Sequence, residues 1–120
     1  MTLRRRTCLQ AVSAWAACHG LPARAAAWPI KPLRIVIPFA AGGSSDIVAR
    51  LLADKLAAAL GQAVLVEAKP GANGILASQS VARADDGHTL LLVGAAHAVN
   101  ASLYPKLPYD SARDFQPVAL

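Results

Sequence analysis

The chain has 120 residues, of which 55% are hydrophobic and 16% charged, with two cysteines and a formal net charge of +5. That hydrophobicity excludes a disordered chain, and two cysteines cannot staple a small disulfide scaffold. No uncharged apolar run reaches the roughly 18 residues that a membrane-spanning helix needs. The positive charge is local: Arg4, Arg5, Arg6 and Arg24 precede Trp28, and the rest of the chain carries 8 basic and 7 acidic residues. No basic stripe with interleaved aromatics lies beyond them, which argues against a nucleic-acid partner.

The first 27 residues have the order of a secretory signal. Arg4-Arg5-Arg6 is the charged start, Leu9 to Cys18 is a short apolar stretch, and Ala23-Arg24-Ala25-Ala26-Ala27 supplies small residues for cleavage. The best cut lies after Ala27, with a cut after Ala25 as the alternative, and either removes Cys8 and Cys18. Arg5-Arg6-Thr7-Cys8-Leu9 resembles a twin-arginine signal, with Arg4 where Ser or Thr is usual. Ala16-Ala17-Cys18 resembles the end of a lipobox, with Trp15 where Leu is expected. The choice between the general and twin-arginine export routes stays open, as does lipidation of Cys18.

Beyond Trp28 the pattern alternates strand and helix. Leu33 to Ile37 is β-branched and apolar between Pro32 and Pro38, the pattern of a strand buried on both faces. Phe39 to Ser45 is a glycine-rich turn, and Ser45 is the expected N-cap of the next helix, with Asp46 in its first turn. Ile47, Val48, Leu51, Leu52, Leu56 and Leu60 are expected on its packed face, with Asp46, Arg50 and Asp54 opposite. Asp46 and Arg50 have the spacing of a surface pair, and Gly61 ends the helix. Ala63 to Glu67 is the second strand, Lys69 to Gly74 a loop, and Ile75 to Ala84 the second helix. Asp85-Asp86-Gly87 makes a turn before a third strand over Thr89 to Val93, and Ala95 to Leu103 is a short helix. Pro105, Pro108 and Pro117 interrupt the remaining segment, with Gln116 to Leu120 as the start of a further strand. The order β-α-β-α-β-α predicts an α/β fold with a parallel sheet in three layers.

In such sheets ligands sit beyond the carboxyl ends of the strands, here at the loops after strands one and three. Gly42-Gly43-Ser44-Ser45 lies between a buried strand and a helix start, where unpaired amides and the helix dipole favour an anion. The same turn also reads as a plain strand-to-helix connection. A branched side chain at Gly43 would block close backbone approach and forbid a positive φ. The phosphate loop G-x-x-x-x-G-K-[ST], the dinucleotide fingerprint G-x-G-x-x-G and the nucleophile elbow G-x-S-x-G are all missing, so no cofactor is implied. A carboxylate is the simpler guest. No Cys, His, Asp or Glu cluster has metal-ligand spacing. His88 follows a turn and is expected at the surface, whereas His97 lies on the ligand edge as a ligand contact or a helix-start surface residue.

The stretch from Trp28 to Asp46, WPIKPLRIVIPFAAGGSSD, resembles the mature start of the Bug receptors, the TctC-like solute-binding proteins of tripartite tricarboxylate transporters. The resemblance continues through Leu60-Gly61-Gln62, Glu67 to Gly74, Asp86 to Leu91, Leu103 to Asp110 and Asp114 to Leu120. Two local differences are Ala40-Ala41, where the family often has Pro-Pro or Ala-Pro, and Ala68-Lys69-Pro70-Gly71, where it often has Asn-Arg-Pro-Gly. The resemblance implies a non-enzymatic periplasmic protein of two lobes that closes on a small carboxylate and passes it to membrane transporter subunits. It implies first-loop contacts from Phe39, Ala41, Gly42, Gly43, Ser44 and Asp46, and contacts after strand three from Ala95, Ala96 and His97. Family members are longer, so residues 28–120 are expected to be the N-terminal part of lobe one of a type II periplasmic-binding-protein fold. On that expectation the second lobe and the C-terminal return lie outside residues 28–120. An α/β enzyme fragment acting on an anionic substrate through Ser44 or His97, and an inactive remnant, are the rival readings.

Overall fold

A computed structural model describes residues 28–119; the export-signal reading, with Cys8 and Cys18, lies outside the described residues. Leu33–Ile37 forms β1, Ser44–Leu60 α1, Val64–Ala68 β2, Ile75–Ala82 α2, Thr89–Leu91 β3 and Ala96–Leu103 α3, with a 3-10 turn over Ala72–Gly74. The sheet order is β2-β1-β3 and both pairings are parallel, as the alternating pattern predicts. The chain steps from β1 to β2 on one side, then passes back over β1 to reach β3. Right-handed crossovers in opposite directions place α1 and α2 on opposite faces of the sheet. No helix among the described residues is long and apolar enough to cross a membrane.

β1 sits at the centre because its residues suit burial on both faces. Ile35 and Ile37 pack against Ala49 and Ala53 of α1, with Leu56, Val64, Val66, Ala68, Leu90 and Leu92 around them. Val36 points to the other face and is 0% exposed. Full burial of each of these three branched side chains contributes roughly 1.5–3 kcal/mol. The ends of β1 are fixed as well: Leu33 N–H donates to Ala63 O at 2.9 Å and Arg34 N–H to His88 O at 2.9 Å.

Several local expectations are corrected. The buried face of α1 is Asp46, Ala49 and Ala53, while Ile47, Val48, Leu51 and Leu52 are exposed, Leu51 at 62%. The helix is apolar around most of its circumference, and its alanines allow the closest approach to β1. Ile47, Val48, Leu51 and Leu52 consequently occupy the opposite flank, while Leu56 packs at the edge of the core as expected. Ser45 is not the N-cap: the helix begins at Ser44, Gly43 caps it, and no side chain bonds there. At the other end Gly61 takes the expected left-handed conformation, φ 66°, and its N–H donates to Ala57 O at 3.0 Å. β2 is shifted by one residue, β3 ends at Leu91, α2 at Ala82, and residues 116–119 form no strand.

His88 is corrected from surface to interior, being 6% exposed. Its Nδ1 lies 2.7 Å from Asp86 O, and its N–H donates to Asp86 Oδ1 at 2.9 Å. That backbone bond is the main reason the Asp86 carboxyl is held down to about 2; the Thr89 hydroxyl and Lys31 reinforce it against the opposing effect of burial. Trp28 closes the site from outside: its Nε1–H donates to Gly87 O at 3.1 Å and its ring lies 5.8 Å from the His88 ring. The first residue of the mature-looking sequence is thus tied to the turn that feeds β3.

The packing assigns opposite consequences to two apolar positions of α1. Ala49→Leu should destabilise the chain by about 1–3 kcal/mol through overpacking against β1. Leu51→Ala should change stability by no more than about 0.5 kcal/mol. Urea denaturation of both variants checks this, and the reverse ranking would restore the face expected from periodicity.

Candidate carboxylate-binding rim

Because all three strands are parallel, each releases the chain at the same edge of the sheet. The switch in crossover direction falls between β1 and β3, where a crevice opens beyond their carboxyl ends. The loop after β1, Pro38 to Gly43, forms one side. Its residues from Phe39 to Gly43 are exposed, as is Ser44. Gly42 adopts φ 86°, a conformation that disfavours any residue with a Cβ. The positive φ therefore belongs to Gly42 and not to Gly43, which is extended at φ −79° and ψ 174°. A Cβ on Gly43 would meet only Ala40 O, at an ordinary 3.5 Å.

Asp46 shapes this loop from behind. The Gly42 N–H donates to Asp46 Oδ2 at 2.9 Å, and Arg50 Nε–H donates to the same oxygen at 3.0 Å. Asp46 is 4% exposed, so the expected surface pair has its acidic partner inside. The Arg50 hydrogen bond, then the Gly42 N–H, hold the Asp46 carboxyl below its usual range, against the upward push of burial. The Gly43 carbonyl accepts from the Asp46 and Ile47 N–H groups, both at 3.1 Å. The amides of Gly43, Ser44 and Ser45 make no hydrogen bond among the described residues, as the first turn of a helix requires. Three free N–H groups at the positive end of a 17-residue helix are thereby presented at the rim.

Beside them lies an open depression of about 240 Å³, lined by Ser44, Ser45, Val48, Leu92 and Val93. Its lining combines two serines with three apolar residues, a composition suited to a short molecule with an anionic end and an aliphatic body. Of the sequence-predicted residues, only Ser44 lines this space. Phe39, Ala41, Gly42 and Gly43 lie on the same loop, and Asp46 braces it. Ala95 is exposed at the N-cap of α3, and Ala96 begins that helix. His97 is not a lining residue. Its Nδ1 lies 3.0 Å from Ser78 Oγ, and its ring stacks on Tyr109 at 5.5 Å and meets Phe115 edge-on at 5.0 Å. Burial pushes its pKa below the ordinary histidine value. The imidazole thus serves to hold residues 109–115 against α3.

Sequence reasoning missed Ser45, Val48, Leu92 and Val93 as lining residues. Val48 stands one turn after Ser44, a relation visible in the sequence, whereas Leu92 and Val93 are masked by the apolar run that reads as strand. The loop after β2 is readable as a loop from its turn residues, but not as part of the ligand edge. Gly71, Ala72, Asn73 and Gly74 all have positive φ, at 133°, 47°, 52° and 86°. A Cβ on Gly74 would stand 3.0 Å from Pro38 Cβ, so this loop packs directly on the start of the glycine loop. Among the described residues no group of three or more His, Cys, Asp or Glu side chains could hold a metal ion.

Comparison with known proteins identifies the family and the fold. The profile of the TctC family, described as the tripartite tricarboxylate transporter family receptor, matches residues 48–120. A UPF0065 protein of Bordetella bronchiseptica is 50% identical over 99 residues, covering 81% of this chain and 30% of the relative. The periplasmic binding protein BugD superposes with a TM-score of 0.71 at 43% identity, over 75% of this chain and 30% of its own. MatC of Rhodopseudomonas palustris, solved with bound malate, superposes with a TM-score of 0.70 at 46% identity, over 78% of this chain and 32% of its own. The chain thus spans about 30% of the length of the relatives it matches. With the family profile matching more than half of the chain, and with these relatives and structures similar to it, the chain belongs to the TctC/Bug family of tripartite tricarboxylate transporter receptors.

Proposed function

We infer that this sequence supplies the first part of a periplasmic receptor that binds a small carboxylate and delivers it to the membrane subunits of a tripartite transporter. The observation that carries the reading is the row of free amides at Gly43, Ser44 and Ser45, beside a depression lined by two serines and three apolar residues. An anionic head placed there would take hydrogen bonds from the amides and sit on the helix dipole. The malate held by MatC, a structural neighbour, supports a dicarboxylate as guest. Phe39, Ala41, Gly42, Gly43, Ser44 and Asp46 form the first-loop part of the site, and Ala95, Ala96 and His97 stand behind the second.

Residues 28–120 act as the N-terminal part of lobe one. A second lobe would complete the burial of the ligand, since small-molecule sites cover most of their guest. The rim binds without turning its guest over: the Ser44 hydroxyl has no base in hydrogen-bond contact among the described residues, and the His97 ring is used in packing. Residues 1–27 act as the export signal. Mass spectrometry of the periplasmic protein should find a chain beginning at Trp28 or Ala26, and retention of Met1 would refute export by cleavage.

The loop itself is tested in a receptor of full family length carrying this sequence. Gly42→Val should reduce malate binding below detection in isothermal titration, because a branched residue cannot hold φ 86° and the amides would turn away. Ser44→Ala removes at most one hydrogen bond to a charged group and should cost no more than about 1.5–3 kcal/mol. Parental affinity in Gly42→Val would remove the glycine loop as the anion site.

A further inference from the structure

The rim contains an amide clasp that the carboxylate reading does not use. Asn73 Nδ2–H donates to Asn100 Oδ1 at 2.7 Å, and Asn100 Nδ2–H donates back to Asn73 O at 2.9 Å. Asn73 belongs to the positive-φ loop after β2, and Asn100 to α3, the helix that comes after β3. Asn100 is 1% exposed, so its amide is fully withdrawn from water and relies on these bonds. Ala72, at φ 47°, is held in a left-handed conformation that a non-glycine residue keeps only where its surroundings impose it.

We propose that Asn73 and Asn100 are positioning residues that lock the three loops of the rim into one rigid frame and so hold the Gly42–Ser45 segment in its ligand-ready shape. The connections run in both directions from the clasp. Toward β1, Gly74 packs closely on Pro38, where an added Cβ would stand 3.0 Å from Pro38 Cβ, and Lys69 N–H donates to Ile37 O at 2.9 Å. Pro38 is the residue from which the glycine loop departs. Toward β3, the first turn of α3 is bonded to the loop before it: His97 N–H donates to Gly94 O and Val99 N–H to Ala95 O, both at 3.1 Å. Two side-chain amides thus join segments 27 residues apart and fix all three strand exits relative to one another. A receptor that recognises its guest through backbone amides gains from this arrangement, because affinity depends on the amides being aimed before the ligand arrives. The positioning role rests on the rim being the carboxylate site, but the rigidity itself is measurable without a ligand.

The test is amide hydrogen exchange on the full chain, comparing Asn100→Ala and Asn73→Gly with the parent. Asn100→Ala removes both bonds. Asn73→Gly removes one, keeps the carbonyl acceptor and tolerates the positive φ. The reporting amides are Gly42, Asp46 and Ile47, whose N–H groups are bonded within the glycine loop. The controls are Leu33 and Arg34, bonded at the opposite edge of the sheet. In Asn100→Ala the reporters should exchange about tenfold faster while the controls stay within about threefold, the signature of a local opening. Asn73→Gly should give a smaller rise at the same amides, and it decides the matter if Asn100→Ala fails to fold. Unchanged reporters in the folded variants, or equal acceleration of reporters and controls, would overturn the positioning role. A parallel titration with malate in the full-length receptor separates the two ideas. Failure of the parent to bind malate counts against the carboxylate reading, whereas exchange alone decides the clasp.

Discussion

A single buried strand, β1, pairs in parallel with neighbours on both sides. Parallel pairing requires each connection to cross the sheet, so every strand must leave at the same edge. That constraint produces the opposite faces of α1 and α2, the crevice between the exits of β1 and β3, and the gathering of three loops at one rim. β1 meets the requirement because Ile35, Val36 and Ile37 leave no polar side chain to hide. Arg34, the charged residue of the strand, lies toward its far end and reaches out to Glu67 at 3.4 Å and Thr89 at 3.2 Å.

The rim is built by dividing labour between backbone and side chains. The free amides of the first turn of α1 supply positive potential without a cationic side chain. Asp46 sits near that potential, yet its Oδ2 charge is engaged by Arg50 and the Gly42 N–H. The residue therefore acts as a brace for the loop and leaves the Gly43, Ser44 and Ser45 amides unpaired. The same helix carries a second apolar flank at Ile47, Val48, Leu51 and Leu52. Val48 turns part of that flank into the wall of the depression, so one helix provides both the amides and the apolar contact.

Much of this is legible in the residues, for definite physical reasons. β1 is readable end to end because prolines bound a β-branched run, and Gly61 is readable because only a residue without a Cβ suits a left-handed helix end at no cost. The packed face of α1 is not readable, since its apolar residues nearly encircle the helix and small alanines win the contact with β1. The N-cap is hidden because Asp46, inside the helix, reaches back to the loop and makes a serine cap unnecessary. His88 resembles a turn residue because its contact with the Trp28 ring joins residues remote in sequence. The Asn73–Asn100 clasp is equally non-local: neither residue is unusual in its own segment, and only the fold brings them together.

The central claim is that the Gly43, Ser44 and Ser45 amides receive a carboxylate at the carboxyl edge of the sheet. Its most direct measurement is a two-dimensional NMR titration of the ¹⁵N-labelled full-length receptor with malate. The account predicts that the amide resonances of Gly43, Ser44 and Ser45 move most among residues 28–119, with Leu92 and Val93 next and Leu33 and Arg34 unmoved. Binding that leaves the three loop amides in place while shifting resonances elsewhere in the chain would contradict it.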